Sequence, residues 1–177
     1  MRILQRILRR LRPAASLAAC LLLAGCFTSE QPMITADNAD YPFESLTYMR
    51  TDGGEEITLE RAAGGYAPTS EGETSDRLLL KAMGEDLYVA QTAVPNSDGS
   101  RFLYGLIKVA PDRKTFVVAA GVAEDADLEA VRAGVPGLRI CEQDDDTVCI
   151  DSLEAYLDYA RKAGTGDETP HTILNIR

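Results

Sequence analysis

The feature that most constrains the fold is a series of strand-like segments, each followed by a turn, between residues 43 and 123. FESLTYMR (43–50) comes first and precedes Asp52-Gly53, a dipeptide typical of tight hairpins. EEITLER follows and alternates apolar with polar residues, the pattern of a strand with one buried face. The remaining segments are DRLLLKA, LYVAQTAV, RFLYGLIKVA and TFVVAAGVA. The short connections predict an antiparallel meander sheet of about six strands.

The later segments differ from the early ones because they are apolar at almost every residue. In RFLYGLIKVA, Leu103 and Ile107 alternate with Phe102, Tyr104 and Leu106. Continuous apolar runs are typical of strands that are covered on both faces. We therefore expect other elements to cover the second face of this part of the sheet.

Two later segments have the periodicity of amphipathic helices. EDADLEAVRAGV (124–135) places apolar residues at helical spacing and ends before Pro136. DSLEAYLDYARKAG (151–164) has an apolar stripe, and its Asp151 and Glu154 stand at capping-box spacing. The final HTILNIR fits either a short strand or a loose tail. The sequence thus predicts an α+β domain, an antiparallel meander sheet of about six strands with two helices in the C-terminal part.

The N-terminus has the pattern of a secretory signal peptide. Five arginines and no acidic residue precede the apolar run LAACLLLA. The stretch from Ala14 to Phe27 is only 14 residues long, whereas a membrane-spanning helix needs about 20. We therefore expect residues 1–25 to be a signal peptide that is removed.

The apolar run ends in Leu23-Ala24-Gly25-Cys26, which resembles the lipobox of bacterial lipoproteins. The resemblance implies that the Cys26 sulfur receives diacylglycerol, that the chain is cut before Cys26, and that the new amine is acylated, for example with palmitate. Phe27 stands where an aspartate would retain an enteric lipoprotein at the inner membrane. We expect a bacterial envelope protein, anchored through Cys26 to the outer membrane and facing the periplasm. Simple secretion with an unmodified Cys26 is the alternative.

The residues that follow Cys26 divide the mature chain into two parts. Residues 26–42 are mostly polar and contain Pro32 and Pro42, a composition that predicts a flexible tether. Residues 43–177 have the length and apolar content of a single globular domain.

The cysteine count predicts one disulfide. Cys20 leaves with the signal peptide and Cys26 carries lipid, so Cys141 and Cys149 remain, with seven residues between them. The bacterial periplasm is oxidising, and paired cysteines there form disulfides. We therefore expect a structural bridge between Cys141 and Cys149.

Charge and motifs exclude several classes of function. Removal of residues 1–25 takes away five arginines and no acid, so the formal charge of −10 becomes −15. Such a chain repels phosphate backbones, which argues against nucleic-acid binding. His171 is the only histidine and lies near the C-terminus, and Asp144, Asp145 and Asp146 lack the spacing of a calcium loop. We predict no catalytic residue, no metal and no cofactor.

The resulting expectation is a non-enzymatic, lipid-anchored envelope protein that acts by binding or scaffolding, with an envelope protein as a candidate partner. One alternative is a carrier of a small apolar ligand, in a cavity lined by aromatic residues such as Tyr88, Phe102, Tyr104 and Phe116. Another is an inhibitor of a cationic cell-wall hydrolase, which the charge of −15 would attract.

Overall fold

The computed structural model describes residues 27–69, 77–84, 86–96, 99–119, 125–142, 144–163 and 168–177. Within these ranges the chain forms eleven strands and two helices. The strands are β1 (Phe27–Ser29), β2 (Ser45–Arg50), β3 (Ile57–Ala62), β4 (Gly65–Pro68), β5 (Leu79–Gly84), β6 (Leu87–Asn96), β7 (Gly99–Val109), β8 (Thr115–Ala119), β9 (Leu138–Cys141), β10 (Asp144–Ile150) and β11 (Glu168–Ile176). The helices are α1 (Asp125–Gly134) and α2 (Leu153–Ala163).

Eight of the strands form an antiparallel sheet that closes on itself. Their order is β5-β6-β7-β8-β11-β2-β3-β4. The ring closes where Tyr66 of β4 and Leu78, just before β5, exchange backbone hydrogen bonds of 2.8 and 3.0 Å. We call this unit the closed sheet.

Gly65 allows β4 to reach β5. Its φ is +142°, and a Cβ atom at this position would lie 2.9 Å from the backbone oxygen of Leu78. Real Cβ atoms do not approach a backbone oxygen so closely, and side-chain-bearing residues rarely adopt this φ. A glycine is therefore required where the ring closes.

The other three strands extend from β7. One edge of β7 is shared: Leu106–Val109 pairs with β8, and Phe102–Tyr104 pairs with β1. On its other side β1 pairs in parallel with β10, and β10 pairs with β9. β6 occupies the full opposite edge of β7.

The predicted antiparallel meander of about six strands is therefore wrong. Each predicted strand segment overlaps one strand of the structure, but the sheet has eleven strands, a branch at β7 and a parallel β1–β10 pair. The meander rule joins strands that are neighbours in sequence. Here β11 lies between β2 and β8, so contacts between the two ends of the chain decide the order. The two helices occur where the sequence predicts them.

The core has two parts, one inside the closed sheet and one outside it. Outside, α1, α2, β1 and β10 pack against β6 and β7, with Val131 and Tyr156 of the helices in the same cluster as Val89, Tyr104 and Leu106. We call α1, α2, β1, β9 and β10 the outer layer. Inside, apolar residues of all eight strands form the second cluster, Ile107 and Val109 of β7 among them. Both faces of β7 are thus covered, as its continuous apolar run indicates.

Residues 26–42 are predicted to form a flexible tether. From Phe27 onward, several of these residues instead pack into the folded domain. Phe27–Ser29 is a buried strand, and the Phe27 ring lies 5.1 Å from that of Tyr156. Ile34 is completely buried, and its backbone nitrogen donates to Gln91 Oε1 at 2.7 Å. The folded domain therefore includes residues well before Phe43. Cys26 and the predicted signal peptide lie outside the described residues.

The disulfide between Cys141 and Cys149 is confirmed, with an S–S distance of 2.04 Å and a Cα–Cα distance of 5.1 Å. It joins β9 to β10, immediately before α2. The start of α2 differs from the predicted capping box. Ser152 Oγ accepts the hydrogen bond from the Ala155 nitrogen, while Asp151 pairs with Arg139 at 3.2 Å.

Candidate functional site

The interior of the closed sheet contains a cavity of about 370 Å³. It exists because alternate residues of a strand point to opposite faces, so closure directs one apolar set inward. The inward set includes Leu46, Ile57, Tyr88, Ile107, Val118 and Ile173. The cavity wall is therefore predominantly apolar.

Two small residues help to leave this space open. Ala90 of β6 and Gly105 of β7 are register partners, and both line the cavity. Neither can fill the interior from its strand. Apolar neighbours such as Tyr88 and Ile107 remain only half-buried, although they point into the closed sheet. Their residual exposure shows that the interior is incompletely packed.

The size of the cavity suits a small ligand. Small-molecule sites have volumes of roughly 300–1,000 Å³ and mostly apolar walls. A closed sheet of about eight strands is just wide enough to be filled by side chains or to hold one small ligand. At about 370 Å³, the cavity falls near the lower end of this range.

Charged side chains line the cavity at both of its ends. In the closed sheet β2 runs opposite to β5 and β7, so the turn after β2 lies at one end and the turns after β5 and β7 lie at the other. Arg50 and Glu55 line the first end, and Asp86 and Arg113 line the second. The Arg50 and Arg113 side chains are 49% and 63% exposed, so both ends reach solvent.

An aromatic contact lies just before the start of β2. Phe43 lines the cavity, and its ring stacks on that of Tyr66 with centroids 4.3 Å apart. The Tyr66 hydroxyl donates to the Phe43 carbonyl oxygen at 2.9 Å. Burial raises the pKa of Tyr66, so this hydroxyl stays protonated and continues to donate.

A buried polar network lies outside the cavity and holds the N-terminal segment. The Tyr104 hydroxyl donates to Gln91 Oε1 at 2.9 Å and lies 2.7 Å from the Ser29 hydroxyl. Gln91 Oε1 also accepts from the backbone nitrogens of Met33 and Ile34. Burial raises the pKa of Tyr104, as expected for a neutral hydroxyl in a satisfied network. These groups attach the segment to β6 and β7.

The residues that the sequence singles out lie in different places. Cys141 and Cys149 lie in the β9–β10 hairpin, outside the closed sheet. Asp144 begins β10 and accepts a hydrogen bond of 2.6 Å from the Thr147 hydroxyl, which lowers the pKa of the Asp144 carboxyl. Across the described ranges, no group of three or more His, Cys, Asp or Glu side chains is placed to hold a metal ion.

The aromatic residues expected to line a cavity divide between the two cores. Tyr88 and Phe116 line the cavity, whereas Tyr104 and Phe102 face the outer layer. His171 lines the cavity next to its register partner Arg50, and its ring stacks on that of Phe116 with centroids 4.9 Å apart. The sequence analysis did not select Arg50 or Arg113 as site residues. Charged residues beside turns usually contact solvent and have no further role.

None of the helices in the described parts of the chain is long and apolar enough to span a membrane. No protein-family model, no curated protein and no solved structure matches the chain.

Proposed function

We propose that this protein is a lipid-anchored envelope protein that binds a small apolar ligand inside the closed sheet and does not catalyse a reaction. The observation that carries the proposal is the cavity of about 370 Å³ with its predominantly apolar wall. A mostly apolar wall with a few charged side chains at its ends is the usual composition of a binding site for small molecules. Among the roles expected from the sequence, this geometry favours the carrier over a scaffold.

The proposed location rests on the lipobox resemblance at Leu23-Ala24-Gly25-Cys26. Acylation of Cys26 would hold the protein stably at a membrane, since two or more acyl chains are sufficient for this. We place the protein at the outer membrane, facing the periplasm. A ligand-binding domain anchored there would exchange its ligand with the membrane or with another envelope protein.

The ligand-binding proposal can be tested with a neutral probe. The mature chain carrying Cys26→Ser, exported behind an ordinary cleavable signal peptide, has no acyl chains of its own to compete. N-phenyl-1-naphthylamine is apolar, uncharged and fluorescent in dry environments. We expect it to bind this protein with saturable fluorescence.

Ala90→Phe should weaken this binding, because the ring would occupy the cavity beside Gly105. We expect a loss of affinity of at least about tenfold, or ~1.4 kcal/mol. Lys108→Phe is the matched control, because it adds the same ring on the exposed outer side of the neighbouring β7. Absence of saturable binding, or equal affinity of the Ala90→Phe protein, would contradict the proposal.

A further inference from the structure

We propose that the cavity is a passage open at both ends, and that its ligand is one unbranched alkyl chain long enough to reach solvent at both openings. The proposal rests on the proposed function and specifies the ligand class for the same site. The ligand is thus defined by the length and width of its chain and not by its polar groups.

The cavity extends along the closed sheet for a considerable length. On β7, four alternate residues line it, namely Leu103, Gly105, Ile107 and Val109. The rise along a strand is about 3.3 Å per residue, so these positions cover roughly 20 Å of strand. Strands in a closed sheet are tilted by about 35–45°, which leaves a length of about 15 Å along the axis.

The first opening lies at the turn between β2 and β3. Arg50 and Glu55 line the cavity there, and both are exposed. β6 runs in the same direction as β2 and therefore ends on this side as well. Its Thr92, two residues beyond Ala90, lines the cavity and is only half-buried. Solvent therefore reaches the cavity from this side.

The second opening lies at the turns after β5 and β7, where Asp86 and Arg113 line the cavity. β11 runs in the same direction as these two strands and ends beside them. Ile176, close to the end of β11, also lines the cavity and is 38% exposed. An apolar side chain of the cavity wall thus meets solvent at this end, which indicates that the end is open.

The width of the passage fits one alkyl chain. A volume of about 370 Å³ over a length of about 15 Å corresponds to an average cross-section of about 25 Å², or a width of about 5 Å. Non-bonded carbon atoms pack about 3.5–4.0 Å apart. One chain therefore fills the passage, and two chains side by side would need a larger one.

Small residues keep the passage open opposite a group of aromatic rings. β6 and β2 lie opposite each other in the closed sheet, since three strands separate them on either side. Ala90 of β6 and its partner Gly105 therefore lie on the wall opposite Tyr48 of β2. The Tyr48 ring contacts those of Phe116 and His171. Larger side chains at Ala90 and Gly105 would close the space in front of these rings.

A chain that is longer than the passage can carry a polar group at each end. An extended chain advances roughly 1.2 Å per bond, so about twelve bonds span the passage. A hydroxyl held inside would lose its hydrogen bonds to water against the apolar wall, which is unfavourable. On a longer chain, both terminal groups instead lie in solvent beyond the two openings.

The test compares alcohols with diols at two chain lengths. 1-Octanol, 1,8-octanediol, 1-tetradecanol and 1,14-tetradecanediol are used to displace N-phenyl-1-naphthylamine from the mature chain carrying Cys26→Ser. The second hydroxyl should weaken the eight-carbon chain at least about tenfold, because one hydroxyl must remain inside. It should change the affinity of the fourteen-carbon chain by less than about threefold, because both hydroxyls reach solvent.

A tryptophan can cover each opening separately. Glu55→Trp at the first opening and Ile176→Trp at the second should each weaken 1,14-tetradecanediol about tenfold. 1-Tetradecanol should keep its affinity, because a chain with one polar end can enter from the other opening, and its binding shows that the variants are folded. Glu56→Trp and Leu174→Trp are the matched controls, because both residues are exposed and lie outside the cavity lining.

The outcomes separate the passage from the proposed function. No probe binding, together with no displacement by any of the four compounds, would defeat the proposed function itself. Equal weakening by the second hydroxyl at both chain lengths would indicate a pocket closed at one end and would overturn the passage. Absence of weakening at either length would also overturn it, because no hydroxyl would then be held inside. An effect of only one tryptophan variant, or of neither, would contradict a chain that leaves through both openings.

Discussion

Small residues at a few positions shape the cavity and its closure. Ala90 and Gly105 leave the interior partly empty, since they face each other across the β6–β7 pair. Gly65 lets β4 approach β5 closely enough to complete the ring. The cavity therefore depends on the absence of side-chain atoms at these positions as much as on the apolar residues around it.

Gly65→Ala should destabilise the protein by about 1–3 kcal/mol, because a residue with a side chain is strained at this φ and would also collide with the backbone. The collision is with the Leu78 oxygen, 2.9 Å from the new Cβ. Urea unfolding measures the free energy change. Gly64→Ala is the matched control, since Gly64 also has a positive φ, +80°, but nothing lies within 4 Å of its Cβ position. Equal losses in the two variants would show that the contact with Leu78 is unimportant.

At the scale of elements, the outer layer supports the closed sheet from one side. β1 lies between β7 and β10, and its Phe27 ring contacts those of Tyr156 and Tyr159 of α2. The β9–β10 hairpin carries the disulfide at the far edge of this layer. The bridge thus stabilises the layer without touching the cavity.

Cys141→Ala combined with Cys149→Ala should lower the free energy of unfolding by about 2–3 kcal/mol, because the bridge restricts the unfolded chain. Denaturant unfolding of the oxidised wild type and the double variant gives this difference. Binding of N-phenyl-1-naphthylamine should be unchanged while the variant is folded, since the bridge lies outside the closed sheet. Unchanged stability with lost binding would instead make the β9–β10 hairpin part of the functional site.

At the scale of the whole molecule, the proposed anchor would be directly connected to the domain. Cys26 is adjacent in sequence to Phe27, which begins the buried strand β1. The Gln91 and Tyr104 network then holds the next residues against β6 and β7. An acylated Cys26 would therefore keep the domain close to the membrane surface, with little intervening chain.

The full chain produced in a bacterium should yield a mature protein that begins at Cys26 and carries acyl chains. Intact-mass measurement of the membrane fraction checks this. Cys26→Ser should abolish the lipid mass, whereas Cys20→Ser should leave it intact, because Cys20 lies within the predicted signal peptide. An unmodified Cys26, or retention of residues 1–25, would contradict the lipoprotein proposal.

Local sequence patterns predicted the elements better than their arrangement. The alternation in EEITLER and the continuous run in RFLYGLIKVA mark β3 and β7, and helical spacing marks α1 and α2. β1 was missed because Phe27–Ser29 is short and lies in a polar segment. β10 was missed because the Asp144–Asp146 run is typical of a solvated loop, and β9 because Leu138–Cys141 is only four residues long.

The candidate site was predictable only in part. Tyr88 and Phe116 are large aromatic residues in strand segments, and aromatic residues are frequent in ligand cavities. Arg50, Asp86 and Arg113 lie far apart in the sequence and beside turns, so no spacing connects them. Asp86 and Arg113 come together because the turns after β5 and β7 lie at the same end of the closed sheet, whereas Arg50 lies at the other end.

The sequence by itself determined the positions of six strands and both helices, the pairing of Cys141 with Cys149 and the two apolar faces of β7, because each depends on residue periodicity or on a small count. Tertiary structure alone decided the insertion of β11 between β2 and β8, the closure at Gly65 and the parallel β1–β10 pair. The physical reason is that strand pairing uses backbone hydrogen bonds, which are nearly the same for every residue. The partner of a strand is therefore selected by the packing of distant side chains and not by its own sequence.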